Sequence, residues 1–180
     1  HRCRSALADL IGASVNEIVL VPNTTFGMSL AAALAASGPP GDIVVSAGEF
    51  PANVLPWRSL ERRGFRVVVV PCGPDGLPDE QALLTAIEGP RVRALSVSMV
   101  QFASGYRMDL ALLGAACEAH EVLFCIDAIQ GVGAVPFRVS DTRADIVSAG
   151  GQKWLCSPWG SGFTWVRKEL QSRFDPPVIS

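Results

Sequence analysis

Four polar clusters each come directly after an apolar run, and between them they offer an amine, carboxylates and hydroxyls that could do chemistry. Lys153 stands after Ala149-Gly150-Gly151-Gln152 and before Trp154-Leu155. A partly apolar wall there would desolvate its amine, favour the neutral form and make it a nucleophile for a Schiff base. The plainer reading of an isolated lysine is a solvated surface charge. Asp127 closes the run Val122-Leu123-Phe124-Cys125-Ile126, where a buried carboxylate needs a cationic or hydrogen-bonding partner. A protonated ring nitrogen of a cofactor would serve, and so would a metal, or the residue could simply cap the next segment of the loop. Asn23-Thr24-Thr25, with Gly27, stands between an apolar run and an Ala-rich segment. Free backbone N–H groups and the helix dipole would favour a phosphate there, although an ordinary N-cap uses the same residue types. Glu49-Phe50-Pro51 is the fourth cluster.

Other chemistries lack their residues. His1 is terminal and His120 lies beside Glu121 at a predicted helix end, so neither comes after a strand as a triad base would. Gly131-Val132-Gly133 starts like a dinucleotide fingerprint, but Pro136 takes the third glycine position. The sequence has no phosphate-binding P-loop motif. The five cysteines, Cys3, Cys72, Cys117, Cys125 and Cys156, are widely spaced with no C-x-x-C pair, which argues against a zinc site or disulfide framework. Cys125, inside an apolar run, reads as a small buried hydrophobe.

The elements that must position these residues alternate regularly. Apolar, β-branched runs predict strands at 18–21, 43–46, 65–70, 92–97, 122–126, 146–148 and 162–166. Helical spacing predicts helices around 6–11, over 29–36, within 51–63 after a loop, over 81–87 and over 110–119. Pro74-Asp75-Gly76 marks a turn. This alternation implies crossover connections and an α/β fold, a three-layer α/β/α arrangement around a mainly parallel sheet. In such a sheet ligands bind beyond the carboxyl ends of the strands, where all four polar clusters fall.

The 180 residues fit one domain with a sizeable core. A charge of −2, from 15 basic and 17 acidic residues without a basic block, argues against nucleic-acid binding. The uncharged stretch 18–41 is long enough to span a membrane, but Pro22, Asn23, Thr24, Thr25 and Ser29 interrupt it, so no membrane span is expected. Cysteine usage suggests a reducing, cytoplasmic setting. His1 in place of a Met, and an end at Ser180 soon after Pro176-Pro177, lead us to expect a fragment of a longer protein.

Taken in order, Asn23-Thr24-Thr25, Glu49-Phe50-Pro51-Ala52-Asn53, Asp127-Ala128-Ile129-Gln130 and Gly151-Gln152-Lys153-Trp154 resemble the class V pyridoxal-phosphate enzymes, a group with cysteine desulfurases, kynureninase and isopenicillin-epimerase-like members. The resemblance covers nearly the whole chain. It implies that residues 1–180 are the cofactor-binding large domain, with the small C-terminal domain outside it. It also implies that the cofactor is pyridoxal 5'-phosphate, with Lys153 as the Schiff-base lysine and proton carrier at the substrate α-carbon. Asp127 would keep the pyridine nitrogen protonated, so that the ring accepts the electrons of a carbanion. Gln130 would bond the ring's phenolic oxygen, Phe50 would stack on one ring face and Ile129 would cover the other. Thr24, Thr25 and Gln152 would contact the phosphate.

The sequence also departs from the family pattern. Gly150 stands where desulfurases carry a phosphate-binding serine, with Ser148 two positions early. Met99 stands where relatives often have Asn or His near the ring oxygen, and Gln101 is a candidate substitute donor. Cys156 is not the desulfurase thiol, which belongs to a later segment. Phe50-Pro51 and Val100-Gln101-Phe102 lean toward the kynureninase and epimerase branch. The family's substrate-carboxylate arginine lies in the small domain, and a neighbouring subunit completes the phosphate site. The expected function is therefore a pyridoxal-phosphate enzyme acting at the α-carbon of an amino acid or amine, as a homodimer. The alternative is a non-catalytic, phosphate-ligand-binding or regulatory relative of the same fold, in which Thr24 and Thr25 would matter and Lys153 would not. The isolated core could also be inactive for want of the other half of its site.

Overall fold

A computed structural model describes residues 2–172; His1 and Pro176-Pro177 lie outside the described residues. Seven strands form one sheet: β1 (Ile18–Val21), β2 (Asp42–Ser46), β3 (Arg66–Val70), β4 (Val92–Ser98), β5 (Leu123–Asp127), β6 (Ile146–Gly150) and β7 (Gly162–Val166). Their order is β1-β7-β6-β5-β4-β2-β3. The pairs β2/β3, β2/β4, β4/β5 and β5/β6 are parallel, and β7 runs antiparallel to both β6 and β1. All strands except β7 therefore point the same way, and their carboxyl ends gather at one edge.

The central strands bury both faces, which is why β2 and β6 are buried at every position and lack the alternation of a half-solvated sheet. One face is covered by α2 (Thr24–Ala35) and the short α3 (Leu55–Arg58), packed on Ile43, Val45, Ala94, Cys125 and Ile146. The other face is covered by α1 (Arg2–Ile11), α4 (Glu80–Ile87) and α5 (Leu110–Ala119), packed on Val44, Leu95, Val97, Phe124, Ile126 and Val147. The expected three-layer α/β/α architecture is the one observed. A four-residue helix, α6 (Lys168–Gln171), ends the described chain.

The differences from the predicted elements have local causes. The first half of α2 was not expected to be helical, yet α2 starts at Thr24 because the Asn23 side chain accepts from the Phe26 amide at 2.9 Å and caps it. The helix expected within 51–63 is broken into a 3-10 turn (Pro51–Asn53), α3 and a second 3-10 turn (Glu61–Arg63). Pro51 and Pro56 each lack an N–H, which confines them to first turns. Strand β5 extends to include Asp127, and β6 extends to Gly150. Among the described residues, no helix is long and apolar enough to cross a membrane.

Candidate active site

The α2-facing side of the sheet turns polar toward the carboxyl edge. Side chains alternate along each strand, so Ser96 and Ser98 continue the Ala94 face of β4, and Asp127 continues the Cys125 face of β5. Register then aligns Ser98 with Asp127, Asp127 with Ser148, and Ser148 with Thr164, a polar row across four strands. Helix α2 lies directly on this row. A Cβ on Gly27 would sit 2.0 Å from Ser148 Oγ and 2.2 Å from Thr164 Oγ1, so glycine is needed for the approach.

Asp127 is 1% exposed and sits in the middle of the row. Burial pushes its carboxyl up to about 7; the nearby Glu49 charge adds to this, while the Ile129 amide, donating to Asp127 Oδ1 at 3.1 Å, and the Lys153 charge oppose it.

The first turn of α2 meets the end of β6 beside it. Thr24 Oγ1 accepts from the Gly150 amide at 2.8 Å, while Thr25 is exposed next to it on the same turn. Gln152 comes next, half-buried, with its Oε1 buried and unpartnered. A Cβ on Gly150 would lie 2.4 Å from that oxygen, so the glycine leaves room for the amide. A helix N-terminus, a free hydroxyl and an unsatisfied amide, which can turn its N–H2 group outward, form a donor set suited to a phosphate.

Lys153 lies in the turn after β6, half-buried. Its Nζ is 5.8 Å from the Phe50 ring centroid and 5.4 Å from that of Phe102, and the two rings meet edge to face at 5.3 Å. This corner keeps the amine among aromatic faces, within cation–π range. The Phe50 segment is anchored by Glu49, which accepts from the Asn53 side chain at 2.9 Å, from the Ser98 amide at 2.8 Å and from the Ser98 hydroxyl. Burial holds the Glu49 carboxyl above its ordinary range, although these hydrogen bonds pull the other way.

The aminotransferase class-V family model matches residues 1–180. The chain belongs to the class-V aminotransferase family. It is 33% identical over 175 residues to the cysteine desulfurase IscS of Mannheimia succiniciproducens, covering 96% of this chain and 43% of that protein. It is 32% identical over 178 residues to the mouse cysteine desulfurase, covering 97% and 38%. The apo cysteine desulfurase of Thermococcus onnurineus NA1 superposes with a TM-score of 0.90 at 27% identity, over 99% of this chain and 45% of that one. The chain thus spans about two fifths of the length of the curated relatives it matches.

Within this class-V frame, several sequence expectations need correction. These relatives are cysteine desulfurases, and the leaning of Phe50-Pro51 and Val100-Gln101-Phe102 toward the kynureninase and epimerase branch stays an expectation. Ser148 is not free for a phosphate, because it is fully buried and bonded to Thr164 at 3.1 Å, with the Phe163 and Thr24 carbonyls within 3.4 Å. Met99 is core, packed against the Gly131 backbone. Gln101 is not a free ring donor, since its Nε2 donates to the Ala47 carbonyl at 2.7 Å and its Oε1 accepts from Ser104 at 2.9 Å. Thr24 is 3% exposed with its hydroxyl accepting from Gly150, so it ties α2 to β6, while Thr25 is the exposed hydroxyl of that turn.

Asp127, Lys153 and Phe50 come together at the strand ends, and Ile129 and Gln130 form a half-buried turn just beyond β5. Cys125 is fully buried and its thiol pushed well up by burial, and Cys117 likewise to about 12, so neither is a nucleophile. Sequence reasoning quoted Phe102 and Asn53 without giving them a role, and missed Ser98. A signal for the last was present in Ser96-Val97-Ser98, whose alternation inside an apolar run places two hydroxyls on one face.

Proposed function

We propose that this chain is the cofactor-binding part of a pyridoxal-phosphate enzyme that works at the α-carbon of an amino acid or amine. The observation that carries it is Asp127, a carboxyl almost wholly out of water at the centre of the site and under the influence of the Lys153 charge. Such a group needs a cationic partner, and a ring nitrogen supplies one. When bound, pyridoxal phosphate supplies an electron sink for a carbanion at the substrate α-carbon.

The residues present fit that group. Asp127 would face the ring nitrogen, Phe50 and Ile129 would enclose the ring, and Gln130 would bond its phenolic oxygen. Thr25, Gln152 and the α2 N-terminus would hold the phosphate, with Thr24 fixing that helix to β6. Lys153 would attach the cofactor through its amine and move the proton at the substrate α-carbon. Phe50 and Phe102 would flank that amine. The cysteine desulfurase relatives make L-cysteine the first substrate to test. A homodimer in the reducing cytoplasm is part of the same proposal; the five cysteines are all free, and an apolar groove of about 760 Å³ between α1 and β1, lined by Leu7, Leu10, Leu20 and Phe163, offers a surface for a second copy.

The decisive experiment records the visible spectrum of the full-length protein before and after borohydride, then maps the modified peptide. We expect a cofactor band that reduction traps on Lys153. A protein that binds no cofactor, or a Lys153→Ala variant that still traps it on a lysine, would sink the reading. The alternative of a non-catalytic phosphate-binding relative is favoured only if Lys153→Ala leaves cofactor binding and every measured turnover unchanged.

A further inference from the structure

Glu49 is a titratable group at the site to which the pyridoxal-phosphate reading gives no task. Each of its three partners, the Asn53 side-chain amide, the Ser98 backbone amide and the Ser98 hydroxyl, donates to it. Asn53 is itself oriented, because its Oδ1 accepts from the Ser96 hydroxyl at 2.6 Å. Three donors favour the carboxylate form and oppose the burial that raises its carboxyl. Its place in the fold has two consequences. Phe50 is the next residue, so fixing Glu49 fixes the backbone that presents the aromatic ring. Ser98 is the register partner of Asp127 on the adjoining parallel strand, with its side chain on the same face, so Glu49 is bonded to the immediate neighbour of Asp127.

We propose that Glu49 is a positioning residue: clamped by Ser98 and Asn53, its carboxylate anchors Phe50 and places a fixed negative charge beside Asp127, deepening the site's attraction for a protonated ring nitrogen. The inference rests on the pyridoxal-phosphate reading of this site. The charged groups acting on Asp127 are Glu49, from the loop after β2, and Lys153, from the turn after β6. The other elements packed against it present Ser98 from β4, Ser148 from β6 and the uncharged helix α2. In the cofactor-free protein the Glu49 charge makes Asp127 hold its proton to higher pH. Removing the charge should let Asp127 ionise at lower pH.

The test strips the full-length protein of cofactor and titrates it with pyridoxal 5'-phosphate, following tryptophan fluorescence, from about pH 5 to about pH 8. It compares wild type, Glu49→Gln and Ser98→Ala, each with and without Asp127→Asn. Glutamine keeps the shape of Glu49 and can still accept from the Ser98 amide. We expect Glu49→Gln to move the acid midpoint of affinity to lower pH by roughly threefold to tenfold in proton activity. Ser98→Ala, which strips one donor from Glu49 and so weakens its hold on the charge, should move it the same way by less. Neither should shift a midpoint in the Asp127→Asn background. The proposal fails if Glu49→Gln weakens affinity by one constant factor at every pH, as a purely structural residue would, or if the shift persists with Asp127→Asn. Should Glu49→Gln not fold, an unmoved midpoint in Ser98→Ala overturns it. A wild type that takes up no pyridoxal phosphate at any pH refutes the functional reading itself, a result distinct from normal uptake with an unmoved midpoint.

Discussion

Thr24 Oγ1 accepts a hydrogen bond from the Gly150 amide at 2.8 Å, joining the first residue of α2 to the last residue of β6 across 126 positions of sequence. Gly150 is three residues before Lys153, so this bond sets the spacing between the helix N-terminus and the lysine turn. Thr24→Val keeps the shape but removes the acceptor, leaving a buried N–H unpaired at a cost of about 1–3 kcal/mol. Urea denaturation should register that loss. Thr24→Ser retains the oxygen and should lose clearly less; equal losses in the two variants would show that packing, not the bond, matters here.

Gly27→Ala tests how closely α2 lies on the polar row. Alanine favours a helix interior over glycine by about 1 kcal/mol, so an open site would gain stability. The added Cβ would instead meet Ser148 Oγ at 2.0 Å and Thr164 Oγ1 at 2.2 Å, in the buried layer that the three elements share. We expect a net loss of about 1–3 kcal/mol or more, read as a lower denaturation midpoint. A gain would mean that helix and sheet can separate without cost.

Much of this was legible from chain chemistry alone. Ile43-Val44-Val45 and the valine run of β3 are β-branched and uninterrupted, so strands are direct expectations; β2 is buried throughout, whereas β3, at the sheet edge, leaves Val69 exposed. Asp127 and Lys153 could be singled out because each breaks an apolar context at a strand end. Relations across strands were not legible. That Ser98, Asp127, Ser148 and Thr164 align depends on register, which residue types at distant positions do not specify. The direction of β7 was hidden for the same reason, since Gly162 to Val166 reads as a strand whichever way it runs. Gln101 misled because an amide near the site suits a ligand donor and a loop staple equally well.

Gln101→Leu separates those two roles. Its amide ties the Ala47 carbonyl, in the loop leading to Phe50, to the turn that carries Phe102 and Ser104. The residue is 2% exposed, so losing both bonds should cost about 1–3 kcal/mol in the cofactor-free protein. A thermal melt without cofactor is the measurement. If the stability of the apo protein is unchanged and only cofactor affinity falls, Gln101 is a ligand donor after all.

Asp127→Asn should stabilise the cofactor-free protein, and only above a definite pH. The folded carboxyl is raised to about 7 from 3.8, so between these values the folded chain binds more protons than the unfolded one. Wild-type stability from this group is therefore complete below about pH 4 and is lost as the pH rises through about 7. Asparagine keeps an oxygen for the Ile129 amide and carries no charge to bury. The two proteins should melt alike near pH 4, and by about pH 8 the variant should be the more stable by on the order of a few kcal/mol. Pyridoxal phosphate should reverse that ranking, because a cation on the ring nitrogen compensates an ionised Asp127 and does nothing for asparagine. Melting curves at both pH values, with and without cofactor, give all four comparisons. A variant no more stable than wild type at the higher pH would mean that water or another cation already reaches the carboxylate.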